Sequence, residues 1–342
     1  MLVKDFDYYL PKELIAQEPT EFRDESRLMV VKRGNGIQHR RFFDIIEYFQ
    51  PGDVLVLNDT RVMKARLLGI KENTGGKIEV LLLSPVSEVD CIWQALVKPG
   101  RRGRPGAKLN FNSCLTGEIV GIAESGIRII KFFPNGSFYD IIESIGQIPL
   151  PPYIQKDIED TKRYQTVYAN KLGSAAAPTA GLHFTPDLLA SISKKGISIV
   201  VITLHVGLGT FRPVKVELVE EHKMHAEYFE VSQQVATLIN HRKSLGGKVF
   251  AVGTTTVRTL ESLPLTDGDK ICASSGLTRK FIYPGYKFKV VDSIITNFHL
   301  PRSTLLMLVS AFSGYENIMH AYKIAVKENY RFFSFGDAML LL

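Results

Sequence analysis

Apolar residues fall into two textures along this chain. Phe43 to Phe49 spaces them as a short helix does, and after the turn Pro51-Gly52 the run DVLVLN (53–58) reads as a strand buried on both faces. Between about Arg61 and Gln147 the pattern shortens. ARLLGIKE, KIEVLLLSPV, CIWQALV, GEIVGI and IRIIKFF are brief β-rich runs separated by Gly, Asn, Ser and Pro, which predicts a small barrel or sandwich. SFYDIIESIG then adds a brief helix, and IPLPP a stiff extended return. After Tyr153 the texture alternates. ISIVVITL and KVFAV read as core strands, and TPDLLASISKKG, VSQQVATLINHRKS and TTTVRTLESL as helices, with Thr185 before Pro186 as an N-cap signal. Alternation of this kind argues for an α/β sheet. The economical layout is a mixed-sheet α/β main domain made of residues 1–61 and 148–342, interrupted by an inserted small all-β, barrel-like domain at 62–147.

Composition narrows the class without choosing a function. The 342 residues are 45% hydrophobic and 23% charged, ordinary for a globular chain long enough to bury a large core. Cys91, Cys114 and Cys272 are odd in number and widely spaced, which fits a reducing cytoplasm better than a secreted disulfide scaffold. The N-terminal stretch lacks an apolar h-region, so no signal peptide is expected. The most apolar stretch, Ile192 to Leu208, is cut by Lys194, Lys195 and His205, so no membrane span is expected either. The net charge of +7 is compatible with an acidic partner but is weak evidence alone.

Five constellations are candidates for chemistry. Gly253-Thr254-Thr255-Thr256, between a strand and a helix that carries Arg258, suits a phosphate or carboxylate. It lacks the GK[ST] of a P-loop, and a Thr-capped core helix is the bland alternative. His222, His225 and Glu227 lie within six residues and suit metal ligation or acid/base work, yet they lack the HExxH spacing, and a surface turn explains them as well. GSAAAPTAGLHF (173–184) and LHVGLGTFRP (204–213) are rich in small residues that let a ligand or another backbone approach, the second at a strand end. The segment 98–108 carries Lys98, Arg101, Arg102, Arg104 and Lys108 with no acid, on a Gly/Pro loop that suits RNA phosphates or is simply a solvated hairpin. TNFHLPRSTL (296–305) holds Asn297 and His299 before an apolar helix, where a lone histidine is more often structural.

In order, these segments resemble the S-adenosylmethionine:tRNA ribosyltransferase-isomerase (QueA) family. The resemblance runs through FDYYLPKELIAQEP, RDESRL, PGDVLVLNDTRVMKARL, RYQTVYA, GSAAAPTAGLHFTPDLL, ITLHVGLGTFRPV, HKMHAEYFEV, VGTTTVRTLES, FIYPGYKFKVVDSIITNFHLPRSTLLMLVSAFSGYE and FFSFGDAML. Ala175 stands where the family pattern leads one to expect Val. The resemblance implies a transferase that moves the ribose of S-adenosylmethionine onto the 7-aminomethyl-7-deazaguanine (preQ1) at the tRNA wobble position. The ribose isomerises to an epoxycyclopentane, giving epoxyqueuosine-tRNA, and adenine and methionine leave. S-adenosylmethionine is then a consumed substrate, no separate cofactor or metal is expected, and the chain is expected to act as a cytoplasmic monomer on tRNA.

That reaction needs a base for the ribose C5′ proton beside the sulfonium, a proton donor for adenine, and donors around the alkoxide that closes the epoxide. By residue type, Glu227 or His225 is the expected base, with His205 and His183 as alternative proton carriers. Thr254, Thr255, Thr256, Arg258 and Arg212 are the expected holders of the methionine carboxylate or a phosphate, and Asn297 and His299 of the ribose hydroxyls. Arg101, Arg102, Arg104 and Lys108 are expected on the anticodon stem. Two rivals stay open: a metal-dependent hydrolase built on His222, His225 and Glu227, and a non-catalytic RNA-binding module.

Overall fold

A computed structural model describes residues 1–34, 36–123, 126–156, 160–207, 214–266 and 268–342. The chain forms two compact units. One comprises Met1–Thr60, Pro152–Lys171 and Ala177–Leu342, and the other Arg61–Pro151 and Leu172–Ala176. The fold class is the expected one: a mixed sheet with helices, and a closed antiparallel barrel.

The first unit is built on nine strands. In spatial order they are Ser274–Thr278, Glu227–Val231, Ser198–Leu204, Val54–Asn58, Val249–Val252, Ser293–Asn297, Ala338–Leu341, Arg27–Val31 and Ile37–Arg41. The four from Ser198–Leu204 to Ser293–Asn297 run parallel. Val54–Asn58 and Val249–Val252 have parallel neighbours on both sides, and Ser293–Asn297 lies between a parallel and an antiparallel strand; all three are buried at every position, as central strands covered on both faces are. Val54 pairs with both Ser198 and Val249, so Asn58, Leu204, Val252 and Asn297 end on one edge.

The helices begin where the sequence signals them. Thr185 caps Pro186–Lys194 by accepting from the Leu188 amide at 3.2 Å, and Leu188 and Ile192, one turn apart, pack with Leu55, Phe184 and Phe250 in the core. Ser232 and Ser303 cap Gln233–Ser244 and Thr304–Ser313 in the same way. The stretch Phe43 to Phe49, which the spacing predicts as helical, falls on a 3₁₀ helix, Phe42–Tyr48.

In the second unit, six antiparallel strands close in the order Arg128–Pro134, Ile92–Lys98, Lys77–Ser87, Arg66–Lys71, Lys108–Asn112 and Leu115–Ile122. Closure removes the exposed edges that short strands would otherwise leave. Leu67, Val80, Trp93, Leu109, Ile119 and Ile130 fill its interior.

Candidate active site

The parallel strands deliver polar residues to one place. Beyond Leu204 come His205, Val206 and Gly207; beyond Val252 come Gly253, Thr254 and Thr255; Asn297 is followed by Phe298 and His299. A cleft there is lined by Val206, Gly253, Thr254, Thr255, Asn297 and His299, and is completed by Ala177–Ala180, Leu305, Phe333 and Ser334. Its position outside the carboxyl ends of parallel strands is where open α/β sheets hold their ligands. Gly253 takes φ 87°, a left-handed conformation that costs a residue with a Cβ but not glycine, and this turns the strand into the helix Thr254–Leu260. The small-residue run serves close packing: a Cβ on Gly181 would lie 2.0 Å from the Tyr168 hydroxyl.

Asn297 is held from two sides. Its Oδ1 accepts from the Thr179 hydroxyl at 2.9 Å, and its Nδ2 lies 3.0 Å from His183 Nε2. His183 Nδ1 meets the Ser26 hydroxyl at 2.8 Å, and the ring stacks on Phe42 with centroids 4.9 Å apart. Burial pushes His183 down to about 4, and His299 to about 3, so both are neutral at physiological pH. His299 Nε2 lies 3.0 Å from the Thr296 hydroxyl. Its backbone is clamped as well, for the Tyr8 hydroxyl donates to its carbonyl and its amide donates to Tyr322 Oη at 2.9 Å.

His205 is only partly buried. Its Nδ1 meets the Thr60 hydroxyl at 2.7 Å, and its ring stacks on Tyr228 with centroids 5.8 Å apart. Partial burial lowers its pKa, against the opposing pull of Asp59. Asn58 ties this corner together, accepting from the Leu204 amide at 3.0 Å and donating to the Leu204 carbonyl at 3.0 Å.

Two residues expected in different tasks turn out to be partners. Arg258 Nη2 donates to Glu227 Oε2 in an ion pair whose side chains are 2% and 3% exposed. Glu227 Oε1 accepts from the Gly207 amide at 2.9 Å. Of the other expected residues, Thr254 and Thr255 line the cleft. The Thr256 hydroxyl instead donates to the Val252 carbonyl at 2.6 Å. Arg212 lies outside the described residues. His225 is exposed, and His222 packs edge-on against Phe281. Among the described residues no group of three or more His, Cys, Asp or Glu side chains is placed to hold a metal ion.

In the barrel unit Arg101, Arg104 and Lys108 are exposed. Arg102 donates to the Lys77 carbonyl, and Arg128 fastens the loop from below by donating to the Gly103 and Gly100 carbonyls. Ser26, Asn58, Thr60, Thr179 and Tyr228 lie inside the motifs quoted above but were not singled out as site residues. Asn58 and Thr60 carry a local signal, being polar at and just beyond the end of an apolar buried strand.

Fold and cleft together define a mixed α/β protein with a cleft, carrying polar side chains, at the carboxyl ends of its parallel strands, and with a second, barrel unit bearing a basic loop. The chain belongs to the queuosine biosynthesis protein family, whose model matches residues 3–341. It is 57% identical to the S-adenosylmethionine:tRNA ribosyltransferase-isomerase of Clostridium kluyveri over 343 aligned positions, covering 100% of both chains. It is equally similar, 57% with the same coverage, to the protein of that name from Acetivibrio thermocellus. Among solved structures it is similar to the S-adenosylmethionine tRNA ribosyltransferase of Thermotoga maritima, at 40% identity, a TM-score of 0.55, and coverage of 99% of this chain and 100% of that one.

Proposed function

We propose that this chain transfers and isomerises the ribose of S-adenosylmethionine onto preQ1 of tRNA, giving epoxyqueuosine-tRNA and releasing adenine and methionine. The observation that carries this is identity of 57% over the whole of both chains with proteins named S-adenosylmethionine:tRNA ribosyltransferase-isomerase. The cleft supports it by supplying what a ribose needs, which is hydroxyl and amide groups held in fixed directions on a rigid sheet edge.

In this reading Asn297 and His299 orient the ribose hydroxyls, and Thr254 and Thr255 hold the neighbouring part of the substrate. His205 takes the C5′ proton. It is neutral and partly open, and with its Nδ1 hydrogen on Thr60 it presents a lone pair on Nε2. Glu227 is less suited, because Arg258 and the Gly207 amide already hold its two oxygens. Its carboxylate holds the Gly207 amide at the end of the His205–Gly207 stretch. Arg101, Arg104 and Lys108 contact the RNA backbone. S-adenosylmethionine is consumed and no separate cofactor takes part, and the chain works as a monomer in the cytoplasm, where its tRNA substrate resides.

The test is to mix the protein with S-adenosylmethionine and tRNA bearing preQ1 and to quantify free adenine. Adenine equal to modified tRNA is expected, and none would overturn the reading.

A further inference from the structure

Among the described residues, His183 is the histidine hydrogen-bonded through both of its ring nitrogens, and both bonds are buried. From this arrangement we infer that His183 is a positioning residue rather than a proton carrier: it fixes the amide of Asn297 so that one amide hydrogen points into the cleft as a donor to a ribose hydroxyl oxygen. The inference rests on the ribosyl-transfer reading for the identity of the ligand, but not for the coupling between the two residues.

The order of donors decides the geometry. The Asn297 amide can face His183 either with its NH2 or with its oxygen, and each choice requires the opposite tautomer of the ring. Thr179 settles the choice by donating its hydroxyl to Asn297 Oδ1 at 2.9 Å, which turns the NH2 toward the ring. Nε2 is therefore the acceptor and takes one of the two Asn297 Nδ2 hydrogens at 3.0 Å. Nδ1 then carries the ring hydrogen and donates it to the Ser26 hydroxyl oxygen at 2.8 Å. With its oxygen and one hydrogen engaged in the wall, Asn297 has one donor left, and it belongs to a residue that lines the cleft.

A proton carrier needs access and a way to change charge. His183 is buried, stacked on Phe42, and close enough to Arg23 and Arg331 that both disfavour an added positive charge. Ser26, Asn297 and the 3₁₀ turn Thr179–His183, which carries both Thr179 and His183, come from three separate segments of the chain, so tertiary packing brings the turn against Asn297 and sets the orientation of the amide.

The test compares His183→Gln, His183→Leu, Asn297→Ala and the double variant His183→Leu/Asn297→Ala. Glutamine can accept from Asn297 but cannot shuttle a proton. Adenine release is measured as kcat/KM from pH 5.5 to 9, with wild type run first. His183→Leu is expected to lose about 10–100-fold, as for other supporting partners of a contact residue. The double variant should be no worse than Asn297→Ala, because both changes remove one interaction. His183→Gln should keep at least a tenth of wild-type kcat/KM with its pH limbs unmoved, and it decides the matter alone should His183→Leu fail to fold. Lower activity in His183→Gln, a moved limb, or losses that add in the double variant would each overturn the assignment. If wild type releases no adenine, the ribosyl-transfer reading fails by itself. The same non-additivity is then read from S-adenosylmethionine affinity by calorimetry, where additive losses would overturn the positioning role.

Discussion

Replacing Arg258 by Met tests the buried ion pair most directly. Methionine keeps most of the unbranched stem and removes the charge opposite Glu227, which still accepts from the Gly207 amide at 2.9 Å in a site where its side chain is 3% exposed. Breaking such a pair from one side costs about 3–5 kcal/mol. The carboxylate has an escape, since it can protonate. For a carboxyl group of ordinary pKa near 4.3, neutralisation at pH 7 costs about 3.7 kcal/mol, and this caps the electrostatic part of the loss. At pH 5 the same cap is about 1 kcal/mol. The sign follows from linkage. A buried carboxylate deprived of its guanidinium favours the protonated form, so the folded variant binds more protons than the unfolded chain, and its stability relative to wild type falls as pH rises. Any packing defect left by the missing guanidinium is the same at both pH values and drops out of the difference. The assay is urea unfolding followed by far-UV circular dichroism at pH 7 and pH 5. Arg258→Met should lose about 3–4 kcal/mol at pH 7 and recover about 2–3 kcal/mol of it at pH 5. Adding Glu227→Gln should restore about 2 kcal/mol or more at pH 7. A variant as stable as wild type, or one whose loss is identical at both pH values, would refute the reasoning.

Three further outcomes follow from the same structure. Converting Arg101, Arg104 and Lys108 together to Gln should weaken tRNA binding and flatten its log–log salt slope by about 2–3, measured by filter binding from low to high salt; S-adenosylmethionine affinity should not change. His183 at about 4 and His299 at about 3 both lie below the ordinary 6.5, so each contributes stability present above pH 6.5 and lost as pH falls toward its folded value. At pH 5 that loss is about 2 kcal/mol per histidine, and His299→Gln should flatten the acid limb of stability by that amount; an unchanged limb would show that the buried ring is not what titrates. His205→Asn should lower kcat by about 100-fold or more with a smaller change in KM, and equal effects on kcat in His205→Asn and Tyr228→Leu would point to the stack instead of proton transfer.

Much of the fold was legible in the chain because the signals are local. The wholly apolar DVLVLN is a central parallel strand because apolar residues at every position suit burial on both faces. Thr185, Ser232 and Ser303 cap helices because a hydroxyl oxygen reaches the amide three residues on. Short β-rich runs between Arg61 and Gln147 mark the barrel strands, yet nothing in Leu172–Ala176 shows that it belongs with that unit. Family and reaction were also legible, since long motifs preserve their order whatever the chain does in space.

The site divides differently. Residue type placed Asn297, His299, Thr254 and Thr255 in one functional set, and they line one cleft. Partnership was decided only in three dimensions. Glu227 looked like a base next to His225, but on the strand Glu227–Val231 its carboxylate turns inward to Arg258, which comes from a helix elsewhere in the sheet. Ser26 and His183 are 157 positions apart, and Asn297 a further 114, so no spacing rule could join them. The sequence by itself determined which chemical groups are available and in which elements they sit, because strand periodicity and capping act over a few residues. Tertiary structure alone decided which of those groups neutralise one another and which face the cleft, because hydrogen bonds and ion pairs depend on distances that only the packed sheet edge sets.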